Sequence, residues 1–219
     1  MKNRITHGDC IPVMAAMPES SVDFILTDPP YLVNYRSRDG RTVANDDNGH
    51  WVQPAFAQMH RVLKNNSFAV TFYGWNRIDL FMQAWTQAGF NVAGHIVFAK
   101  DYASSSRYMQ HRHEQAYLLM KGRPIPSGFP IPDIIPWTDY TGNKLHPTQK
   151  PLCILKPLIS AFTGPEAIVL DPFCGSGSTL KAARELRRNF IGIDIDRTHF
   201  HTAARRLFDL PRQNRAVIS

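Results

Sequence analysis

The chain has 219 residues, of which 43% are hydrophobic and 20% charged, and its formal net charge is +7. That length and composition suit one domain, residues 1–219, with a core of its own, and exclude a disulfide-stapled miniprotein and a disordered tail. Apolar runs such as Val22–Leu26 stop far short of the roughly 20 residues of a membrane span, and the basic balance favours a polyanionic partner, nucleic acid first.

Apolar stretches of strand length alternate with amphipathic stretches of helix length, the pattern of an α/β fold. Strands are expected at 5–7, 22–27, 68–73, 95–99, 115–120, 168–170 and 190–193. No helical stretch separates 95–99 from 115–120, so these two are expected as an antiparallel pair at one edge of a mostly parallel sheet. After Trp51, Phe56, Met59 and Leu63 share a helical face, with Pro54 tolerated in the first turn. Asn76 is placed to cap the next helix, with Asp79 at its third position and Gly89 to end it. Asp196 is placed to cap a last helix whose Phe200, Ala204 and Leu207 share a face. Two segments resist this pattern. Residues 32–50 are polar and mixed in charge, and are expected to form a mobile lid. Residues 122–147 carry Pro124, Pro126, Pro130, Pro132, Pro136 and Pro147, so neither a helix nor a central strand is expected there, but a surface excursion.

The three cysteines, Cys10, Cys153 and Cys174, are odd in number and lack paired spacing. That usage fits a reducing, cytoplasmic setting. The opening Met1-Lys2-Asn3-Arg4 leads into mixed sequence rather than the apolar stretch of a secretion signal.

Two constellations carry chemistry. In the first, the apolar strand ending at Asp171 runs into Pro172-Phe173-Cys174-Gly175-Ser176-Gly177 and a helix beginning near Ser178. Glycines let backbone approach a ligand closely, and helix N-terminal amides favour electronegative groups. Asp194 follows Gly175 by 19 residues, at the end of the next strand, where a ribose-binding acid is expected. Leu180 stands where a dinucleotide site has its third glycine, which favours a mononucleoside cofactor such as S-adenosylmethionine over one with a pyrophosphate. Gly-x-Gly alone is equally a plain turn; the register of strand, acid, glycines, helix, strand and acid is what points to a nucleoside.

The second constellation, Thr27-Asp28-Pro29-Pro30-Tyr31, follows the apolar strand 22–26. It reads blandly as a proline turn with an exposed aromatic. Chemically it suits an exocyclic amine, whose lone pair is delocalised into the base ring. Hydrogen bonds from its two protons to the Asp28 carboxylate and the Pro29 carbonyl would pull the nitrogen towards tetrahedral geometry. Pro29 and Pro30 fix the backbone and preorganise that carbonyl. Tyr31 could stack on a base that has left the duplex, a contact worth about 1–3 kcal/mol.

These residues resemble the amino-methylating DNA methyltransferases. Asp28-Pro29-Pro30-Tyr31 is similar to their catalytic tetrapeptide, Asp171 to Gly177 to their cofactor loop, and His146-Pro147-Thr148-Gln149-Lys150-Pro151 to the segment just before that loop. The order, catalytic motif first, is that of the circularly permuted beta class, and the match spans most of the chain. The resemblance implies a Rossmann-like S-adenosylmethionine-dependent fold, double-stranded DNA as substrate, base flipping, and methylation of adenine N6. A serine in place of Asp28 is the more usual sign of the cytosine N4 enzymes, which stand as the alternative, together with a catalytically idle DNA-binding regulator of the same fold. By the same resemblance, Asp9 of Gly8-Asp9-Cys10 faces the cofactor adenine amine, Asp194 the ribose hydroxyls and Ile195 the adenine ring. Asp171, Phe173, Gly175 and Gly177 surround the methionine moiety, and Thr148, Gln149 and Lys150 its carboxylate. His113-Glu114 and Lys121-Gly122 resemble the strand closing the far sheet edge. Ser178-Thr179 replaces the commoner Thr-Thr. The stretch from Gly122 to His146, where this class places target recognition, is short. It leaves no room for a large recognition domain, and a homodimer sharing the reading of DNA stays open beside a monomer.

Other residues are weighed singly. His111/His113 and His199/His201 lack the helical i, i+4 spacing of a zinc site, so no metal is expected. Cys174 reads as packing, because an exocyclic amine needs no covalent nucleophile. Lys100, Arg107 and Arg112, with Tyr102 and Tyr108 interleaved, suit phosphate tracking or a solvated face, and Arg36, Arg38 and Arg41 in the lid carry the same two readings.

Overall fold

The computed structural model describes residues 2–36, 40, 42–105, 108–125, 130–139 and 149–208. In chain order the elements are β1 (Arg4–His7), α1 (Cys10–Ala15), β2 (Val22–Thr27), α2 (Val52–Val62), β3 (Leu63–Phe72), α3 (Ile78–Ala88), β4 (Asn91–Ser105), β5 (Gln110–Lys121), β6 (Ile134–Trp137), α4 (Leu152–Phe162), β7 (Ile168–Asp171), α5 (Ser178–Glu185), β8 (Asn189–Asp194) and α6 (Arg197–Phe208). The strands form one sheet in the order β1-β8-β7-β2-β3-β5-β4-β6. From β1 to β3 every pair is parallel, β5 runs antiparallel to both β3 and β4, and β6 is parallel to β4.

Strand β2 shows why the sheet is buried on both faces. Val22 and Ile25 join the apolar cluster under α1, α2 and α3, while Phe24 and Leu26 join the cluster under α4, α5 and α6. A strand with helices on both sides reads as a continuous apolar run rather than an alternation. Helix α2 buries Val52, Ala55, Phe56, Met59 and Val62, one stripe of a 3.6-residue period, and α3 buries Phe81, Ala84 and Trp85. Gly89 ends α3 at φ 96°, a left-handed cap, and the Asp196 carboxylate accepts the Thr198 and His199 amides to start α6.

Four elements depart from the sequence reading. Asn76 caps nothing: it lies inside a 3-10 turn, Trp75–Arg77, and α3 starts behind it with no side-chain cap. The expected antiparallel pair forms, yet it is not the sheet edge, because β6 adds outside β4. That strand carries Pro136 within the proline-rich stretch, which an edge strand tolerates. Helices α1 and α4 were not read from the sequence, and α4 contains Pro157.

The consequence for function is positional. Five neighbouring parallel strands deliver their carboxyl ends to one rim, so the residues after β1, β8, β7 and β2 converge there. Antiparallel β5 brings its early residues to that rim, opposite the later half of β4.

Candidate active site

On one side of the rim the chain leaves β7 at Asp171 and turns into α5. Gly175 and Gly177 adopt φ values of 50° and 78°, left-handed conformations that favour glycine. A Cβ at Gly177 would also stand 3.1 Å from the Cβ of Ala203 in α6. Asp194, at the end of β8, fastens this loop: Oδ2 accepts the Gly175 N–H at 2.7 Å and Oδ1 the Asp196 N–H at 2.8 Å. Burial raises its carboxyl above the ordinary range, opposed by those amides and by His199, whose Nδ1 is 3.8 Å away. Asp171 is buried and accepts Thr27 Oγ1 at 3.0 Å and the Phe173 N–H at 3.2 Å. Desolvation pushes its pKa up to about 7 against those hydrogen bonds and that of Thr179. Asp9 caps α1 through the Ile11 amide at 2.9 Å.

One cavity of about 890 Å³, counted to its open mouth, joins these residues to the second constellation. Asp9 and Cys10, Asp194 and Ile195, Phe173 and Gly175, and Asp28 to Tyr31 all line it. Ile195 is 45% exposed and presents apolar surface, as a ring-binding wall requires. Burial pushes the Cys10 thiol up to about 12 and the Cys174 thiol well above its ordinary value, so both serve packing rather than nucleophilic chemistry.

Around Asp28 the structure places a largely buried quartet of charges, Lys150 buried and Asp28, Glu114 and Lys100 half-buried. Lys150 Nζ lies 2.6 Å from Asp28 Oδ2 and 3.4 Å from Glu114 Oε2, and Lys100 Nζ lies 3.0 Å from Glu114 Oε1. Tyr31 Oη stands 2.9 Å from Asp28 Oδ1, 3.3 Å from Glu114 Oε2 and 3.3 Å from Lys150 Nζ. The Lys150 ammonium also sits over the Phe72 and Tyr31 rings, 4.8 and 5.3 Å from their centroids, and that of Lys100 over Trp137 at 5.2 Å. Desolvation opposes the Lys150 charge, but Asp28 and Glu114 outweigh it and raise its pKa. Burial raises Asp28 while Lys150 pulls it down; burial also opposes ionisation of Glu114, and its two lysines overcome that and lower it. Burial, then the two carboxylates, hold the Tyr31 phenol well above its ordinary value.

The described residues of segment 32–50, expected as a lid, fold onto the cavity. The buried Asp46 carboxylate accepts the Leu32 and Tyr35 amides, each at 2.6 Å, and Val33, Tyr35 and Asn45 line the cavity wall. Trp51 ties this loop to the turn after β7: its Nε1 donates to the Asn45 carbonyl at 3.0 Å, and its ring meets Phe173 edge-on at 5.0 Å.

Some expected site residues have partners other than those expected, and others lie apart from this assembly. Lys150, expected beside a cofactor carboxylate, is held by Asp28 and Glu114, and Lys100, expected to face phosphates, has a side chain 8% exposed. Gln149 is half-buried, and Arg36 and Arg112 are exposed. Arg38, Arg41, Arg107 and Thr148 lie outside the described residues. Sequence reasoning passed over Glu114 as a site residue, and also Asp46, Trp51 and Gly74. A Cβ on Gly74 would stand 2.5 Å from the Tyr31 carbonyl oxygen, so glycine there makes room for the Asp28–Tyr31 turn. Glu114 stands in the polar first half of β5, between His113 and Gln115 and before the apolar run 116–120, so no local pattern set it apart.

Comparison with known proteins agrees with this geometry. Over 210 residues the chain is 52% identical to the YubD protein of Escherichia coli (strain K12), covering 96% of this chain and 92% of that one. It is 30% identical to the type II methyltransferase M2.DpnII of Streptococcus pneumoniae over 241 residues, 93% and 88% of the two chains. The crystal structure of the M1.HpyAVI–SAM complex superposes with a TM-score of 0.75 at 28% identity, over 93% of this chain and 98% of that one. PvuII DNA methyltransferase (cytosine-N4-specific) shares the fold, with a TM-score of 0.77 at 16% identity over 98% and 88%. A family model described as DNA methylase matches residues 22–205, and the chain belongs to that family.

Proposed function

We propose that this DNA methyltransferase transfers the methyl group of S-adenosylmethionine to the exocyclic N6 amine of adenine flipped out of double-stranded DNA. The observation that carries the reading is the single cavity shared by the Asp28–Tyr31 turn and the nucleoside-side residues Asp9, Asp194 and Ile195.

The residues present fit the cofactor. A half-exposed Ile195, a buried acceptor at Asp194 and two left-handed glycines offer an apolar wall, hydrogen-bond acceptors and close backbone approach. S-adenosylmethionine supplies a methyl group activated on a sulfonium. Asp194 would take the ribose hydroxyls, Asp9 the adenine amine, and the 171–177 loop the methionine end. On the base side, Asp28 and the Pro29 carbonyl accept the two amine protons and turn the nitrogen lone pair outward for direct attack. Tyr31 roofs the base. Catalysis then comes from proximity and preorganised electrostatics, without a metal or a covalent enzyme intermediate. Arg36 and Arg112, with Arg38, Arg41 and Arg107 beside them in sequence, supply positive charge for the DNA backbone.

The test uses methyl-labelled S-adenosylmethionine and unmethylated plasmid DNA, followed by digestion to nucleosides. Labelled N6-methyl-2′-deoxyadenosine is the expected product. Labelled N4-methyl-2′-deoxycytidine would keep the amine chemistry and replace the base, whereas cofactor binding without any labelled nucleoside would favour an idle regulator.

A further inference from the structure

The Asp28 carboxylate already holds an amine-like donor. Lys150 is a side chain 5% exposed, its Nζ 2.6 Å from Asp28 Oδ2, in the carboxylate position that the target amine needs. A second seat stands next to it. Glu114 Oε2 is 3.4 Å from the same Nζ, and Lys100 anchors the other Glu114 oxygen at 3.0 Å. The Tyr31 hydroxyl lies within 3.3 Å of Glu114 and 2.9 Å of Asp28, bridging the two acids.

We infer that Lys150 is a placeholder for the target amine: it occupies Asp28 while no base is bound and shifts towards Glu114 when the base enters. The inference rests on the reading that Asp28 receives the amine. Its physical basis is charge balance. Asp28, Glu114, Lys150 and Lys100 carry two charges of each sign, and a buried carboxylate without a partner is disfavoured by desolvation. The ammonium keeps Asp28 ionised and its oxygens oriented in the empty site. The incoming amine is neutral and cannot replace that charge, so the ammonium has to remain close by. Glu114 offers the place, and Lys100 holds Glu114 so that it faces Asp28 rather than turning away. Lys150, Glu114 and Lys100 are thus positioning residues acting through Asp28.

The experiment is a double-mutant cycle on the full chain, with steady-state methylation as readout and calorimetric binding of S-adenosylmethionine as the check on folding. Glu114→Gln removes the second seat and leaves the ammonium on Asp28, so kcat should fall on the order of tenfold or more while cofactor affinity holds. Adding Lys150→Ala removes the competing ammonium and restores a balanced pair, Asp28 with Lys100. The double variant should therefore recover to within about threefold of Lys150→Ala alone, a positive coupling that independent structural damage does not give. A double variant as poor as Glu114→Gln, or poorer, overturns the inference. A second measurement needs only Lys150→Ala. Propylammonium, which refills the truncated side chain, should restore part of the lost kcat and at the same time raise the KM for DNA, because it supports Asp28 and also competes for it. A KM for DNA that propylammonium leaves unchanged would mean that the ammonium does not stand in the way of the amine, and would equally overturn the inference. Asp28→Ala run in the same series separates the two levels: if it retains activity, the role given to Asp28 fails, and if it is inactive the cycle judges Lys150 alone.

Discussion

Replacing Asp171 with asparagine should flatten the pH dependence of folding stability. The carboxyl is buried at the end of β7, and its pKa is raised from 3.8 to about 7 by desolvation. A raised carboxyl pKa means that the folded state binds a proton more tightly than the unfolded chain does. Below about pH 4 both states are protonated and the group contributes no difference. As pH rises from there to about 7, the unfolded chain ionises while the folded protein resists, so stability is lost across that window. The full shift corresponds to about 4 kcal/mol, of which about 2–3 kcal/mol falls between about pH 5 and about pH 8.

Asparagine retains an acceptor oxygen for the Thr27 hydroxyl and the Phe173 amide, and it has no proton to lose. Urea unfolding of cofactor-free protein at the two pH values, wild type against Asp171→Asn, isolates this group from Asp28 and Asp194, whose pKa values are also raised. The wild type should lose about 2–3 kcal/mol more than the variant on going to the alkaline condition. Parallel losses in the two proteins would refute the argument, because Asp171 would then titrate no differently in the folded and unfolded states.

Cofactor binding near pH 7 should release about half a proton, since Asp171 is half-protonated there and the cofactor brings positive charge; titration in buffers of different ionisation enthalpy reads it, and equal heats in every buffer count against it. Asp194→Ala should weaken S-adenosylmethionine binding by about 1–3 kcal/mol. Because Asp194 also fastens the Gly175 and Asp196 amides, protection of those amides from hydrogen exchange should fall in the same variant; unchanged affinity would remove it from the cofactor site. Asp46→Ala leaves a buried and a partly buried amide without their acceptor and should cost about 1–3 kcal/mol of stability while speeding proteolysis within 32–50. A lid as resistant as the wild type's would show that Asp46 does not hold it.

What could be read in sequence, and what could not, follows from the range of the interactions involved. Strands β7 and β8 are short apolar runs that end at Asp171 and Asp194, and β2 is one that ends just before Asp28, so strand and candidate site were visible together. Helix α1 has only six residues, with Pro12 among them, and α4 carries Pro157, so local propensity argued against each where tertiary packing prevailed. Strand β6 hides in the proline-rich stretch because its pairing partner, β4, lies more than thirty residues earlier in the chain. The charge quartet is the extreme case. Lys150 is 122 residues from Asp28, and Glu114 reaches the rim only because β5 runs antiparallel to its neighbours. Nothing in one dimension marks that meeting, although each residue separately is ordinary.

In the proposed function, the placement of charge lets one cavity serve two dissimilar ligands. On the cofactor side Asp171 and Asp194 are buried and held by hydroxyl and amide donors, which lets burial raise their pKa values. A ligand that carries positive charge relieves that penalty, so this side favours the sulfonium-bearing cofactor. On the base side Asp28 and Glu114 are matched by Lys150 and Lys100, two charges of each sign, and Lys150 offsets part of the burial that raises the Asp28 carboxyl. A neutral amine can be received there without a net buried charge. The sheet order makes the two environments adjacent: β2, which delivers Asp28, pairs directly with β7, which delivers Asp171, and the Thr27 hydroxyl bonds Asp171 across that pair. Exchanging the environments, with the lysines beside Asp171 and none near Asp28, would repel the cofactor and favour protonation of the acceptor for the amine. The topology and the four charges therefore have to be considered together, since neither alone gives a site that separates a cationic donor from a neutral acceptor.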